Sequence, residues 1–233
     1  LRSALVIASI FSVIAVIALT LLEALLPLIS TSQEISSLVK QYLRIAIWVV
    51  PLDLFACVII NISNGAGRTF WPAAVSAAAF ITMVLVTWLI ALGNAGFVAM
   101  GSAGIAYSFL LAMLTKFVFS ILLLLQEDFR SLTFTEFTGS LEVPHLRRIF
   151  SVGFPIGLNE GSIQLFGAVL VIFIASMGVE QLAVHNVAWN VFHLSHVLSL
   201  GFMTATSILV GQALGAGDLA GLKSVRRTSH YVV

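Results

Sequence analysis

Six uninterrupted apolar stretches constrain this chain more than any other feature of its sequence. They cover roughly residues 4–29, 43–65, 72–92, 99–125, 149–177 and 181–210. Each is long enough to cross the hydrocarbon core of a bilayer as a helix, which takes about 20 residues. Lipid admits only helices or closed barrels, and the apolar residues here follow one another instead of alternating with polar ones. The sequence therefore predicts an all-α, polytopic bundle of six transmembrane helices.

The composition excludes the common classes of water-soluble protein. Of the 233 residues, 60% are hydrophobic and only 9% are charged, whereas a soluble domain carries about a quarter charged residues. The formal charge of +1 provides no basic face for nucleic acid. The single cysteine, Cys57, excludes an intrachain disulfide framework and a multi-cysteine metal cluster. The sequence has neither a glycine-rich phosphate loop nor a G-x-S-x-G elbow, so we expect neither an enzyme nor a bound cofactor.

The positive charges predict the orientation of the spans. Two basic residues, Lys40 and Arg44, fall on one side of the predicted helices. The other side, cytoplasmic by the positive-inside rule, holds Arg2, Arg68, Arg130, Arg147, Arg148, Lys223, Arg226 and Arg227. Lys116 falls inside the fourth span, and we interpret it as a side chain that snorkels toward water. We expect a multi-pass protein of the plasma membrane, which is the inner membrane if the cell is bacterial.

Glu160 is the strongest candidate for function, because an ionisable residue inside a span costs a few kcal/mol or more. It lies about 18 Å into the fifth span, counted from Arg148, and is therefore near the midplane. Asn159 and Gln164 add polar groups beside it, and Pro155 should kink the helix. A buried carboxyl group of this kind could bind and release a proton or hold a sodium ion. The alternative is a structural, hydrogen-bonded glutamate.

Asp53 is the second candidate for binding a coupling ion. It follows Pro51 in the second span and, at helical spacing, shares a face with Cys57, Asn61 and Asn64. A polar stripe of this kind suits a water-filled cavity. The alternative is an aspartate that caps the backbone near Pro51 or pairs with a neighbouring helix. For Glu23, near the outer end of the first span, we predict an interfacial position without a role.

The sixth span carries one face of imidazole and indole groups. Because imidazole groups are costly in contact with lipid, this face is expected to lie against a partner helix or a cavity. Its rings could hold an organic cation by cation–π contacts and hydrogen bonds. The alternatives are interhelical hydrogen bonds without a ligand and, with little specificity, a zinc site; we predict no metal. The predicted cavity residues are His185, Trp189, Asn190, His193 and His196.

Residues 152–218 resemble the multidrug and toxic compound extrusion (MATE) family. The segments responsible are 153–158 (GFPIGL), 177–178 (MG), 182–186 (LAVHN) and 210–218 (VGQALGAGD). Weaker marks stand upstream at 65–69 (GAGRT) and 101–106 (GSAGIA). The run VGQALGAGD, which ends the sixth span, is the most specific of these segments.

The resemblance implies a transporter of twelve helices in two lobes, of which this chain supplies the third to the eighth helix. Residues 1–125 would be the last four helices of the first lobe, and 126–148 the cytoplasmic connector between the lobes. Residues 149–233 would be the first two helices of the second lobe and the start of a further one. We accordingly expect a fragment that needs the remaining helices and does not transport alone.

The resemblance also implies the activity, because the family exports drugs and organic cations in exchange for protons or sodium ions. Members with an acidic coupling residue in the seventh helix usually carry it eight positions after the proline, where this chain has Ile163. Here Glu160 stands five positions after Pro155. The shift of three residues keeps nearly the same face and displaces the carboxyl group by about 4.5 Å along the helix. Coupling through Glu160 is therefore a hypothesis of our own.

Two other functions are compatible with six apolar spans. A flippase for lipid-linked oligosaccharides shares the two-lobed architecture, but it should have Arg or Lys in its cavity to bind pyrophosphate. Lys116 is the only basic residue away from the ends of a predicted span, since Arg44 stands at the outer end of the second. A membrane receptor or scaffold would not need a protonatable group at the midplane. We therefore favour an antiporter whose partners are a small organic or cationic substrate, a proton or sodium ion and the lipid bilayer.

Overall fold

The computed structural model describes residues 2–29, 33–125 and 143–232. Seven helices account for most of these residues, and no strand occurs in the described ranges. They are α1 (Arg2–Ile29), α2 (Gln33–Gly65), α3 (Phe70–Val86), α4 (Gly101–Leu125), α5 (Val143–Met177), α6 (Val179–Gly215) and α7 (Leu219–Val232). A π-helical turn over Thr87–Ala91 extends α3.

Six of these helices are long and apolar enough to cross a membrane. They are α1, α2, α3 with its π-helical turn, α4, α5 and α6, so the prediction of an all-α bundle with six spans is confirmed. The helices extend beyond the apolar stretches: α2 begins at Gln33, ten residues before the predicted start. Neither Pro51 nor Pro155 ends its helix, since both lie inside α2 and α5 respectively.

The helices fall into two compact units, Leu1–Leu146 and Arg147–Val233. The boundary lies in the first turns of α5, close to the end of the connector predicted over 126–148. Of that connector, residues 126–142 lie outside the described residues. Its assignment as a link between two lobes stays a prediction.

In the first unit, α2 packs against α1 and α4, and α3 packs against α4. The buried positions are mostly small, which lets helix backbones approach closely where the hydrophobic effect gives little drive between helices. They include Ala56, Ser63, Ala106, Ser108, Ala112 and Ser120. The hydroxyl groups of Ser63, Ser108 and Ser120 each donate to the carbonyl four residues earlier, so burial leaves them satisfied.

The connection between α3 and α4 is a region of very close packing. A Cβ added to Gly104 would lie 2.6 Å from Ala91 Cα, and one added to Gly93 would lie 2.7 Å from the Ala99 nitrogen. Only glycine fits at these two positions without a shift of the neighbouring backbone. Gly96 and Gly101 have open space around them and instead supply φ angles of 88° and 55° to the turn.

In the second unit, α5 and α6 form an open hairpin that turns at one residue, Gly178, whose φ is 125°, and the two helices do not pack closely along their length. The helix α7 packs back against α6. No residue whose exposure is described in this unit is buried, and its long helices are apolar over most of their accessible surface.

The run VGQALGAGD folds as a helix stop followed at once by a helix start. Gly217, with φ of 67°, donates to the Leu214 carbonyl, and Asp218 donates its backbone N–H to the Ala213 carbonyl. These two bonds are the Schellman pattern, which needs a residue of positive φ at the position of Gly217. The Asp218 carboxylate then accepts the backbone N–H of Gly221 and caps α7.

Candidate functional site

An intramembrane ion pair joins α2 to α4 in the first unit. Lys116 Nζ donates to Asp53 Oδ1 at 2.6 Å, and it also lies 3.6 Å from Cys57 Sγ. The Cys57 thiol, one turn beyond Asp53, is 3.8 Å from the same carboxylate oxygen. We call these three residues the Asp53 cluster. The Lys116 side chain is 16% exposed and the Asp53 side chain 40% exposed, so the pair is shielded mainly on the lysine side.

The Asp53 cluster lies deep in its helices. Lys116 is nine residues from the end of α4 at Leu125, and Asp53 is twelve residues from the end of α2 at Gly65. At 1.5 Å per residue, the charges lie about 13–18 Å from those helix ends, which is about half the thickness of a hydrocarbon core. The interpretation of Lys116 as a snorkelling side chain is therefore wrong, because its ammonium group turns to a carboxylate at its own depth.

The prediction for Asp53 is refined by this contact. The proposed polar stripe is real in part, since Cys57 lies beside Asp53 as the helical spacing required. Of the two alternatives to ion binding, pairing with a neighbouring helix is the one observed. Sequence reasoning missed Lys116 as a member of this site, and its only signal was a basic residue in the middle of an apolar span.

A second ion pair joins α1 to α2 nearer the opposite helix ends. Arg44 Nε donates to Glu23 Oε1 at 2.9 Å, with the Arg44 side chain 73% exposed and that of Glu23 20% exposed. Glu23 was predicted to have no role, whereas in the structure it forms an ion pair that links α1 to α2.

The second unit places Glu160 on α5 together with Asn159 and Gln164. All three are exposed, and none has a hydrogen bond or ion pair within the described ranges. The neighbouring Ser162 hydroxyl donates to the Leu158 carbonyl at 2.7 Å and is thus committed to its own helix. Glu160 is therefore not neutralised by any basic side chain of the described chain.

The aromatic face of α6 is a continuous row of rings. His185 stacks on Trp189 with centroids 5.8 Å apart, Trp189 meets His193 edge-on at 5.1 Å, and His193 lies 6.3 Å from His196. Phe192 lies 5.7 Å from Trp189 and 6.0 Å from His196, and sequence reasoning missed it. Its signal was its position three residues after Trp189, which is the same side of a helix. Asn190 is exposed on the same helix.

Glu160 and His196 stand at equal distances along their helices from the turn of the hairpin. The Trp189 ring approaches within 4.0 Å of the position of a Cβ on Gly167, which shows which sides of α5 and α6 face each other. Glu160 is seven residues before Gly167, and His196 is seven residues after Trp189. Seven residues make about two helical turns, so Glu160 lies on nearly the same side of α5 as Gly167, and His196 on nearly the same side of α6 as Trp189. Both residues are eighteen positions from Gly178, so each lies about 27 Å along its helix from the turn.

The residues capable of binding a metal do not converge. Among the described residues, no three of His, Cys, Asp and Glu come together as a metal site would require. Two histidines on one turn of α6 do not by themselves provide a tetrahedral ligand set.

Comparisons with known proteins agree with the sequence resemblance. The sequence model of the MatE family matches residues 1–89 and 155–233. A probable multidrug resistance protein NorM of Xylella fastidiosa is 25% identical over 240 residues, covering 100% of this chain and 50% of that protein. Multidrug resistance protein MdtK of Pectobacterium atrosepticum is 26% identical over 236 residues, covering 97% of the chain and 50% of that protein.

A third relative, multidrug resistance protein NorM of Aliivibrio fischeri, is 24% identical over 82% of the chain and 42% of its own length. The chain thus spans about half the length of the curated relatives it matches. The family match includes residues of both units described above, among them α1, α2 and most of α5 and α6, whereas α4 lies outside it. The chain is a multi-pass membrane protein and belongs to the MatE family, a family of transporters and not of enzymes.

Proposed function

We propose that this chain is part of a secondary active transporter that exports drugs or organic cations in exchange for protons or sodium ions. The family membership and the names of the multidrug resistance relatives support the substrate class. The charge distribution supports a place in the plasma membrane with both units starting from the cytoplasmic side. We further propose that residues 1–125 belong to the first lobe and residues 149–233 to the second, joined through 126–148.

The observation that carries this proposal is the unpaired carboxyl group of Glu160 in the middle of an apolar helix. Such a group is costly in lipid unless it binds a proton or another cation, which makes it suited to picking up and releasing one. Asn159 and Gln164 supply amide oxygens beside it. An exporter needs this group to change its occupancy as the transporter switches between inward- and outward-open states.

The aromatic face of α6 is the proposed wall of the substrate cavity. Its accessible Trp189 and the flanking His185 and His193 offer ring faces for cation–π contact and imidazole nitrogens for hydrogen bonds. Glu160 and His196 lie equally far along their helices from Gly178, and we propose that an organic cation on this face is attracted by the charged carboxylate and released from it by a proton or sodium ion. This competition links ion binding to substrate release.

The flippase alternative is disfavoured by the Asp53 cluster. Lys116, the basic residue deepest in a described span, is already paired with a carboxylate at 2.6 Å. It is therefore not a free cation for a pyrophosphate group. A membrane receptor or scaffold would not need a carboxyl group at the position of Glu160, which has no ion pair among the described residues.

The proposal is tested by ethidium accumulation in cells that express the complete coding sequence containing these residues. We expect the unmodified protein to lower accumulation, and Glu160→Gln to abolish at least nine-tenths of this effect at equal expression. Glu180→Gln is the matched control, because Glu180 lies in the first turn of α6 and outside the membrane centre. Unchanged efflux in Glu160→Gln, with unchanged dependence on pH and sodium, would refute the role of this carboxyl group.

A further inference from the structure

The Asp53 cluster contains a neutral ion pair whose carboxylate is only partly enclosed by α2 and α4. Lys116 is the more enclosed partner, whereas Asp53 keeps 40% of its side chain accessible. The pair is not needed to solvate a helix end, since both residues lie in the interiors of α2 and α4. A charge pair of this kind, far from water and with one open side, marks a pathway for ions or protons in membrane proteins.

Within the described part of the first unit, the other ionisable groups on the helices that pack around the pair lie far from it along those helices; on α2 itself Lys40 and Tyr42 stand at least eleven residues before Asp53. On α1 the ionisable residues are Arg2 and Glu23, and Glu23 is held by Arg44, nine residues before Asp53 on α2. The described part of α3 and its π-helical turn contain no ionisable side chain. On α4 the other titratable group is Tyr107, nine residues before Lys116 and thus about 13 Å away along the helix.

Because the cluster is neutral, a cation that binds Asp53 would leave it with one positive charge in excess. Two cations around one carboxylate at the membrane centre are strongly disfavoured, as the desolvation of each ion costs several kcal/mol. Loss of one proton from the Lys116 ammonium group restores neutrality. The neutral amine can remain beside Cys57, whose thiol can donate to it at the present separation of 3.6 Å.

We propose that Asp53 and Lys116 form a cation-for-proton exchange site in the first unit. The resident cation is the ammonium group of Lys116. A monovalent cation binds the Asp53 carboxylate, the Lys116 ammonium becomes an amine, and one proton leaves to solvent. The cluster is neutral before and after the exchange. This inference deepens the proposed ion-coupled export by adding a second exchange site, whose chemistry does not involve Glu160.

The stoichiometry makes a sharp prediction for the unmodified protein. If one proton leaves for each cation bound, the apparent dissociation constant for the cation falls about tenfold for each unit of pH between 7 and 9. The measurement is a titration of the purified protein in detergent with sodium chloride at constant ionic strength, followed by isothermal calorimetry. A parallel titration with tetramethylammonium chloride distinguishes an inorganic cation from an organic one. Stronger binding of either cation with this pH slope supports the exchange site.

Proton release provides the second readout. In weakly buffered solution with a pH-sensitive dye, saturating cation should release close to one proton per chain from the Glu160→Gln protein, in which Glu160 has no carboxyl proton to contribute and to which the next two substitutions are added. Asp53→Asn removes the carboxylate, and Lys116→Arg keeps the ion pair but cannot give up its proton, since a guanidinium group stays protonated in proteins. Both variants should lose more than nine-tenths of the release.

Lys116→Arg separates exchange from a purely structural ion pair. A structural pair would be served by either residue, whereas exchange requires lysine. Glu160→Gln is the background for these measurements, because it should leave proton release at this site unchanged even where it abolishes efflux. Absence of cation-induced proton release in the Glu160→Gln protein, or full release when Lys116→Arg is added to it, would overturn the proposal without bearing on Glu160.

Discussion

The ion pair between Asp53 and Lys116 should be a structural link that cannot be broken from one side without loss of stability. Its Coulomb attraction at 2.6 Å is about 6 kcal/mol at an effective dielectric constant of 20. Desolvation of the two ions offsets most of this gain, so the intact pair contributes little. Removal of one partner is different, because it leaves the other charge unpaired at the depth of the membrane centre.

The two single substitutions should therefore differ in the stability that they cost. Asp53→Asn leaves the Lys116 ammonium, which is 16% exposed, without its counter-ion, and we expect a loss of about 3 kcal/mol. Lys116→Met leaves Asp53, which is 40% exposed, and the loss should be smaller, about 1–2 kcal/mol. The double variant Asp53→Asn/Lys116→Met leaves no unpaired charge, so its free energy of unfolding should lie within about 1 kcal/mol of that of the unmodified protein.

Unfolding of the purified protein in detergent, followed by tryptophan fluorescence, measures this cycle. Three of the four tryptophans, Trp48, Trp71 and Trp88, lie in the first unit and report on it directly. The expected coupling free energy between the two substitutions is about 3–5 kcal/mol, the sum of the two single losses less that of the double variant. Additive losses, with the double variant as unstable as the sum of the single variants, would refute the pairing of Asp53 with Lys116.

Two further substitutions test the packing of the first unit. Gly104→Ala forces a Cβ to within 2.6 Å of Ala91 Cα, so overpacking of about 1–3 kcal/mol should outweigh the gain of about 1 kcal/mol in helix propensity. The control Gly65→Ala, at the end of α2 in the same unit and with nothing within 4 Å, should be close to neutral in the same unfolding assay, and equal effects would contradict the close approach. Arg44→Gln removes a pair whose arginine is 73% exposed, so the loss of stability should stay below about 1 kcal/mol; a loss above about 2 kcal/mol would show that the ion pair with Glu23 contributes more than its exposure indicates.

The sequence was sufficient to predict the six spans because each apolar stretch is its own local signal. The ends of the helices were less accessible to sequence reasoning. Polar flanks such as those of α2 continue the helix without adding to its apolar stretch, so the predicted start at residue 43 fell ten residues late. The stop after α6 could have been recognised from Gly217 and Asp218, which form a Schellman cap and a helix start.

The pairs between helices could not be read from one sequence. A helical wheel puts Asp53 and Cys57 on one face, but it does not say which face of α4 packs there. Lys116 is 63 positions from Asp53, and the side of the helix it occupies becomes meaningful only when α2 and α4 are packed. The same holds for Glu23 and Arg44, which meet because α1 and α2 are antiparallel neighbours.

The equal distance of Glu160 and His196 from the turn, by contrast, follows from simple arithmetic once the turn is located. Gly178 was visible in the sequence only as part of a family mark. Its φ of 125° identifies it as the residue at which the chain turns from α5 into α6, and distances along both helices can be counted from it. The aromatic face of α6 was predicted from spacing alone, and its rings do follow one another as that spacing required.

The central claim of this account is that Glu160 exchanges a proton or sodium ion for an organic cation. Its most direct test is ethidium transport in everted membrane vesicles containing the product of the complete coding sequence, with an imposed pH or sodium gradient. The account predicts that collapse of the relevant gradient stops transport by the unmodified protein and that Glu160→Gln shows no gradient-driven transport while Glu180→Gln retains it. Gradient-driven transport by Glu160→Gln at the unmodified rate would contradict the claim.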